Sequence, residues 1–166
     1  MARDFTCPPL DATDLRILDQ LQRDASLSNQ DLAARVHVSP ATCLRRVKRL
    51  VDTGVVERRV ALLSAEKLGA GLTTIVEITL DRQGAEHLAA FEARAVAEAA
   101  VQQCWRVSPG PDFVLVLQVA DMAAYHALVQ RLFTQDANVR NVKSYFSVKR
   151  AKFEPAVALP GVPVSA

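Results

Sequence analysis

An α+β chain in two parts is the fold the sequence predicts, and three observations predict it. Between residues 10 and 54, two helix-capping signatures and a Ser-Pro start mark three short helices with a tight turn before the third. Between residues 72 and 148, apolar spacing switches between strand and helix periods in the order strand, helix, strand, strand, helix, strand. Between these parts, Ser64–Gly71 holds capping residues and two glycines, and reads as a short helical turn and hinge.

Composition sets the bounds. The chain has 166 residues, 50% of them hydrophobic, with a formal net charge of +2, which suits one or two small domains with a real core. That charge is too mild to indicate nucleic acid by itself, so only local clustering carries such a reading. Cys7, Cys43 and Cys104 lie far apart with no Cys-x-x-Cys, which argues against a disulfide framework or zinc site and fits a reducing cytoplasm. No apolar run reaches membrane-spanning length, and the N-terminus lacks a signal-peptide core.

Residues 1–9 end in Pro8-Pro9 and read as an extended arm. Asp11 is placed as an N-cap, with Asp14 three residues on and Leu10 and Leu15 as a hydrophobic staple; Leu15, Leu18 and Leu21 continue the inward face to about Asp24. Ser28 with Asp31 repeats the device for a short second helix ending near Arg35, with Leu32, Ala33 and Val36 inward. Val36-His37-Val38 is the tight link to the third helix, the helix-turn-helix plan.

That third helix organises the reading. Ser39 caps it and Pro40 occupies its first position. At 100° per residue, Leu44, Val47, Leu50 and Val51 fall on one side. Thr42, Arg45 and Arg49 point away from it, flanked by Arg46 and Lys48. One face is thus apolar, and the other carries four cations and no carboxylate before Asp52. Such a helix can pack on its own domain while lying in a DNA major groove, with arginine reading guanine and lysine or threonine holding phosphate. The candidate DNA contacts are Ser39, Ala41, Thr42, Arg45, Arg46, Lys48 and Arg49. Gly54 fits a left-handed cap after the helix. Val55–Leu63 is strand-like and carries Arg58 and Arg59, so a short hairpin there would be a wing, with Arg58 a further candidate contact.

In the second part, Leu72–Leu80 alternates, residues 84–99 carry Leu88, Phe91, Ala95 and Val96 at helical spacing, and Val101–Val107 alternates again. Phe113–Val119 is almost wholly apolar, Asp121 caps a helix with Met122, Tyr125, Leu128, Val129 and Leu132 on one stripe, and Val142–Val148 is the last strand. This is the ferredoxin-like βαββαβ plan, an antiparallel sheet with both helices on one face. The other face, with Trp105 or its neighbours, then needs a partner, and a second copy of the sheet predicts a dimer. Pro155, Pro160 and Pro163 disfavour regular structure at the C-terminus. His37, His87 and His126 are scattered, with no metal-ligand spacing, and no nucleophile motif surrounds Ser108.

Three runs of residues, in register, resemble the Lrp/AsnC (feast/famine) transcriptional regulators: Leu10-Asp11-x-x-Asp14-x-x-Ile17-Leu18, Leu32-Ala33-x-x-Val36-x-Val38-Ser39, and Arg46-Val47-x-x-Leu50-x-x-x-Gly54-Val55-Val56. The likeness covers roughly residues 10–154. It implies a winged helix-turn-helix joined by a hinge to a sensing domain that dimerises through its sheet, with dimers assembling into tetramers, octamers or larger discs. It also implies a small effector, typically an amino acid such as leucine or methionine, bound between dimers near the loop joining the second and third strands. Here that loop is Val107-Ser108-Pro109-Gly110-Pro111-Asp112. Asp112 matches the family pattern, but Pro109 stands where the family has glycine, and proline offers no N–H and cannot take a positive φ. Ser108, Gly110, Asp112 and Met122 are the candidate effector residues.

The expected organisation is an arm over 1–9, a winged helix-turn-helix over 10–56, a wing and hinge over 57–71, a ferredoxin-like effector and oligomerisation domain over 72–153, and a flexible tail over 154–166. The implied function is a cytoplasmic, sequence-specific regulator of duplex DNA, modulated by a small effector, with no metal, cofactor or membrane partner and no enzymatic activity. Two alternatives stand beside it: an effector-independent architectural DNA-binding protein, and a haem-pathway decarboxylase on a similar fold.

Overall fold

The computed structural model describes residues 9–69 and 71–161, in two compact units: the chain up to Leu62 together with residues from Lys152 on, and Leu63–Ala151. The expected arm lies outside the described residues except for Pro9, and so does the end of the expected tail.

In the first unit, α1 spans Ala12–Arg23, α2 Asn29–Arg35 and α3 Pro40–Asp52. Each starts where its cap predicts. The Asp11 carboxylate accepts from the amides of Thr13 and Asp14, and Asp14 returns a bond to the Asp11 amide, a complete capping box. Ser28 accepts from the Asp31 amide, and Ser39 from the Thr42 amide. Ile17, Leu32, Val36, Cys43 and Leu50 form the core, with Val47, Val55 and Val56 packed against it. His37, at φ 59°, turns the chain between α2 and α3; histidine is among the few non-glycine residues enriched in that region. Gly54, at φ 75°, caps α3 in the left-handed conformation.

The expected wing hairpin does not form. Val55–Leu63 contains no strand, and Val60, Leu62 and Leu63 stay exposed. The tail is also more ordered than expected. It has no regular structure, yet Gln22 donates from its side-chain amide to the Val157 carbonyl at 3.2 Å and accepts from the Val157 amide at 3.1 Å. This reciprocal pair ties the tail to α1.

The second unit holds a 3-10 turn at Glu66–Leu68, then β1 Leu72–Leu80, α4 Ala85–Ala97, β2 Val101–Arg106, β3 Phe113–Val119, α5 Met122–Val129 and β4 Val139–Phe146. The sheet is fully antiparallel in the order β2-β3-β1-β4, the ferredoxin-like arrangement. Gly71 leads into β1, and any Cβ there would sit 2.0 Å from the Ala120 carbonyl oxygen, so glycine is required by close approach. Val76, Ile78 and Leu80 of β1 and Phe113, Leu115 and Leu117 of β3 bury one sheet face under α4 and α5. Val96, expected inward, is exposed, and Phe91 and Ala95 carry the contact. A π turn, Gln130–Thr134, follows α5 and brings Leu132 and Phe133 both inward.

The opposite face alternates as a pleated sheet must. Ile75 lies between Val116 of β3 and Tyr145 of β4, and Trp105 lies opposite Val114. Ile75, Trp105 and Tyr145 are 42%, 57% and 51% exposed.

Candidate nucleic-acid interface and effector loop

Cys43 and Leu50 are the fully buried residues of α3, with Arg46 and Val47 half-buried beside them. Leu44 and Val51, expected inward, are exposed. The buried stripe is thus turned by roughly 60° from the all-apolar one, at 100° per residue. The cause is Asp14. Its side chain is almost fully buried on α1, and a buried carboxylate requires countercharge. Arg46 donates from one Nη to Asp14 at 2.9 Å and to Asp11 at 2.7 Å, and Arg49 pairs with the other Asp14 oxygen. The helix turns so that arginines, not leucines, meet α1 at that level.

The electrostatics follow. The Asp14 amide and then Arg46 hold the Asp11 carboxyl well below its ordinary value, at about 2. Burial pushes Asp14 up, but the Asp11 N–H, Arg49 and Arg46 outweigh it and the net direction is down. The Asp11 and Asp14 carboxylates in turn raise Arg46.

Arg46, expected outward, is half-buried, and Arg49, still exposed, shares with it the task of holding α3 on α1. Arg45 and Lys48 are exposed and form no ion pair among the described residues. With Ala41 they mark the outward pole of α3; Thr42 lies on the Arg49 flank and Leu44 on the other. Ser39 is spent on capping: its hydroxyl donates to Thr42 Oγ1 at 2.9 Å and accepts from the Thr42 amide at 3.3 Å. Asn29 pins the start of α3 to that of α2 by donating to the Pro40 carbonyl at 2.9 Å. Past the helix, Lys48, Val51, Val56, Glu57, Arg58 and Arg59 line an open hollow of about 360 Å³. Arg58 thus stands beside α3 without a wing strand to carry it.

These contacts separate the four cations of α3 by the salt dependence of binding. Lys48→Ala should lower the slope of log affinity against log salt by about one unit, because each phosphate contact releases about one counterion. Arg46→Ala should leave the slope nearly unchanged, since its charge is already matched by Asp11 and Asp14. Fluorescence anisotropy over a salt series reads both.

Helical spacing alone does not place this clamp. Its signal was present: an acid at the third position of α1, and arginines one turn apart on α3.

The β2–β3 loop folds around Asp112. The Asp112 amide donates to the Ile78 carbonyl at 2.8 Å, and its carbonyl accepts from the Val107 amide at 3.1 Å. Its carboxylate Oδ2 accepts from the Leu80 amide at 2.7 Å and the Gln83 side chain at 3.3 Å. Asp112 thus pins the loop to the end of β1, and its Oδ1 takes no hydrogen bond among the described residues. Gly110 adopts φ 124°, so the positive φ that Pro109 cannot take moves one place along, and the Ser108–Pro109 peptide is cis. Ser108 and Gly110 are both exposed. Met122 does not join them. Asp112 precedes β3 and Met122 follows it, which at about 3.3 Å per residue separates them by roughly 20 Å or more within one chain. Met122 is exposed at the opposite end of the strand, so it could line this loop only from a neighbouring copy of the chain.

Among the described residues, no group of three or more histidine, cysteine, aspartate or glutamate side chains is arranged to hold a metal ion, and no helix is long and apolar enough to cross a membrane.

Residues 10–57 match the winged helix-turn-helix DNA-binding family, and residues 73–157 match the Lrp/AsnC ligand binding domain. The chain is 41% identical over 143 residues to the leucine-responsive regulatory protein of Haemophilus influenzae, covering 86% of each chain. It is 35% identical over 150 residues to the Bkd operon transcriptional regulator of Pseudomonas aeruginosa, covering 90% of this chain and 98% of that one. Among solved structures, a Neisseria meningitidis transcriptional regulator in complex with L-Met superposes with a TM-score of 0.84 at 32% identity, over 92% of this chain and 98% of that one. A helix-turn-helix with an exposed Arg45/Lys48 pole, a βαββαβ unit with one open face, and both family matches in register lead to one assignment: the chain belongs to the Lrp/AsnC family of DNA-binding transcriptional regulators, not to the decarboxylases that resemble it in fold.

Proposed function

We propose that this regulator acts as a dimer or larger assembly that reads duplex DNA through Ala41, Thr42, Arg45 and Lys48, with Ser39 and Arg58 beside the phosphates, and that an amino acid bound at the β2–β3 loop modulates it. The observation that carries the assembly is the open sheet face, where Ile75, Trp105 and Tyr145 are large, apolar and exposed on the side away from both helices. The effector reading is supported by the loop's chemistry. An amino acid needs an anion for its ammonium and donors for its carboxylate. Asp112 Oδ1 is available for the first, and the Gly110 N–H and Ser108 hydroxyl for the second. The relative solved with L-Met favours methionine as the first ligand to try, and leucine follows from the leucine-responsive relatives.

Calorimetry with each of the twenty amino acids tests this. At least one should bind, and Asp112→Asn should abolish its heat while leaving assembly and basal DNA binding intact, since asparagine can still accept from the Leu80 amide. A flat screen would favour the effector-independent architectural reading. Two observations lend that reading weight: Pro109 lacks an N–H, and Asp112 is partly committed to the fold. Asp112→Asn binding as well as wild type would move the site elsewhere.

A further inference from the structure

We propose that Leu44 is a specificity-determining residue of α3, reading the C5-methyl group of a thymine in the major groove. The inference rests on the placement of α3 in the groove and deepens it. Leu44 is 60% exposed although it lies in the middle of an amphipathic helix. The inward position at this level of α3 is filled by Cys43, which is fully buried, on the side where Arg46 and Arg49 meet Asp14. Leu44 is thereby held outward, next to Arg45 and one turn before Lys48. Val51, on the same flank, lines the hollow with Val56; Leu44 is not among the residues lining it.

Chemistry selects the occupant. A recognition helix contacts base edges mainly through its N-terminal half, where Leu44 sits. The floor of the major groove is polar except for the thymine methyl, so that methyl is the group a leucine side chain can desolvate there. Leu44 lies at the edge where the apolar flank of Val47 and Val51 meets the cations Arg45 and Lys48, so a protein docking there would have to set an acidic surface against a narrow apolar strip. DNA offers that combination: phosphates for Arg45 and Lys48, or a guanine edge for Arg45, around a methyl group. Leu44 would then add preference for thymine at a base pair adjacent to the one Arg45 reads.

The test uses the full chain and an operator obtained by selection from random duplexes. Each thymine in the site is replaced in turn by deoxyuridine, which removes the methyl and keeps the pairing edge. Wild type should bind about fourfold more weakly to the duplex modified at one position, the factor for one methyl-sized apolar contact. Leu44→Ala should bind the thymine duplex at least fourfold more weakly and show no further loss on that modified duplex. Leu44→Met should keep part of the discrimination. The proposal is overturned if Leu44→Ala binds the thymine duplex as wild type does, or if every deoxyuridine effect persists unchanged in Leu44→Ala. A change of oligomeric state in Leu44→Ala without coupling to deoxyuridine overturns it too, and makes the residue a protein contact. Arg45→Ala separates the failures: if it also binds as wild type, α3 is not in the groove, whereas a large loss with no Leu44 coupling sinks the methyl reading alone.

Discussion

Asp14→Ala should lower the stability of the helix-turn-helix unit by about 3 kcal/mol, the low end for breaking a buried ion pair. Asp14 accepts from the Asp11 amide, Arg46 and Arg49, so its removal leaves three donors to find other partners. Arg49 can turn to water because its side chain is 43% exposed, which keeps the cost from going higher. Arg46 cannot turn as freely; its Nε is buried without a partner already. The single tryptophan, Trp105, lies in the other unit. Helical circular dichroism should therefore show an early urea transition in the variant, while Trp105 fluorescence reports a sheet transition close to wild type. Unchanged helical unfolding would mean that the clamp contributes nothing net.

The same cluster sets an acid limit. Asp11 in the folded state titrates near 2, below its ordinary 3.8. Because the folded value is the lower one, the contribution is complete above about pH 4 and is lost as pH falls towards 2. Asp11→Asn keeps a good N-cap and removes the titration, so it should flatten the loss of helical stability across that window. An acid-unfolding profile identical to wild type would assign the effect to other carboxylates.

Signals were legible where they act between near neighbours in the sequence. The caps of all three helices, the left-handed Gly54 and the strand–helix order of the second unit follow from residue type and spacing, and each is observed. The face of α3 was not legible, because binary patterning treats every arginine as outward. A buried carboxylate on another helix reverses that, and the arginines of α3 carry the signal only when read together with the acid on α1. The absence of a strand hairpin after α3 was not legible for a related reason. Val55–Leu63 has strand composition, but a strand needs a neighbour, and composition does not supply one. The candidate effector residues divide in the same way. Ser108, Gly110 and Asp112 are neighbours in sequence and share a loop, whereas joining Met122 to them required a distance that β3 sets.

Ile75→Glu should leave the chain monomeric at micromolar concentration where the proposed sheet-face dimer forms in wild type. Ile75 occupies the middle of the open face, paired to Val116 on one side and Tyr145 on the other. In the monomer the new carboxylate points to water and Lys143 lies on the same face two residues from Tyr145, so folding should survive. In a face-to-face dimer each copy would bury one carboxylate, at roughly 2 kcal/mol or more per copy. Two-fold symmetry doubles this, which weakens association about a thousandfold. DNA binding should fall with it. Two linked recognition helices on two half-sites gain roughly 10²–10⁴ in affinity over one, and a monomer forfeits that gain with α3 untouched. Light scattering together with operator titration reads both effects. If Ile75→Glu stays dimeric, the sheet face is not the interface, and the exposed Val60–Leu63 segment becomes the next surface to charge. If it is monomeric yet binds the operator as wild type does, a single recognition helix suffices, and assembly serves something other than affinity.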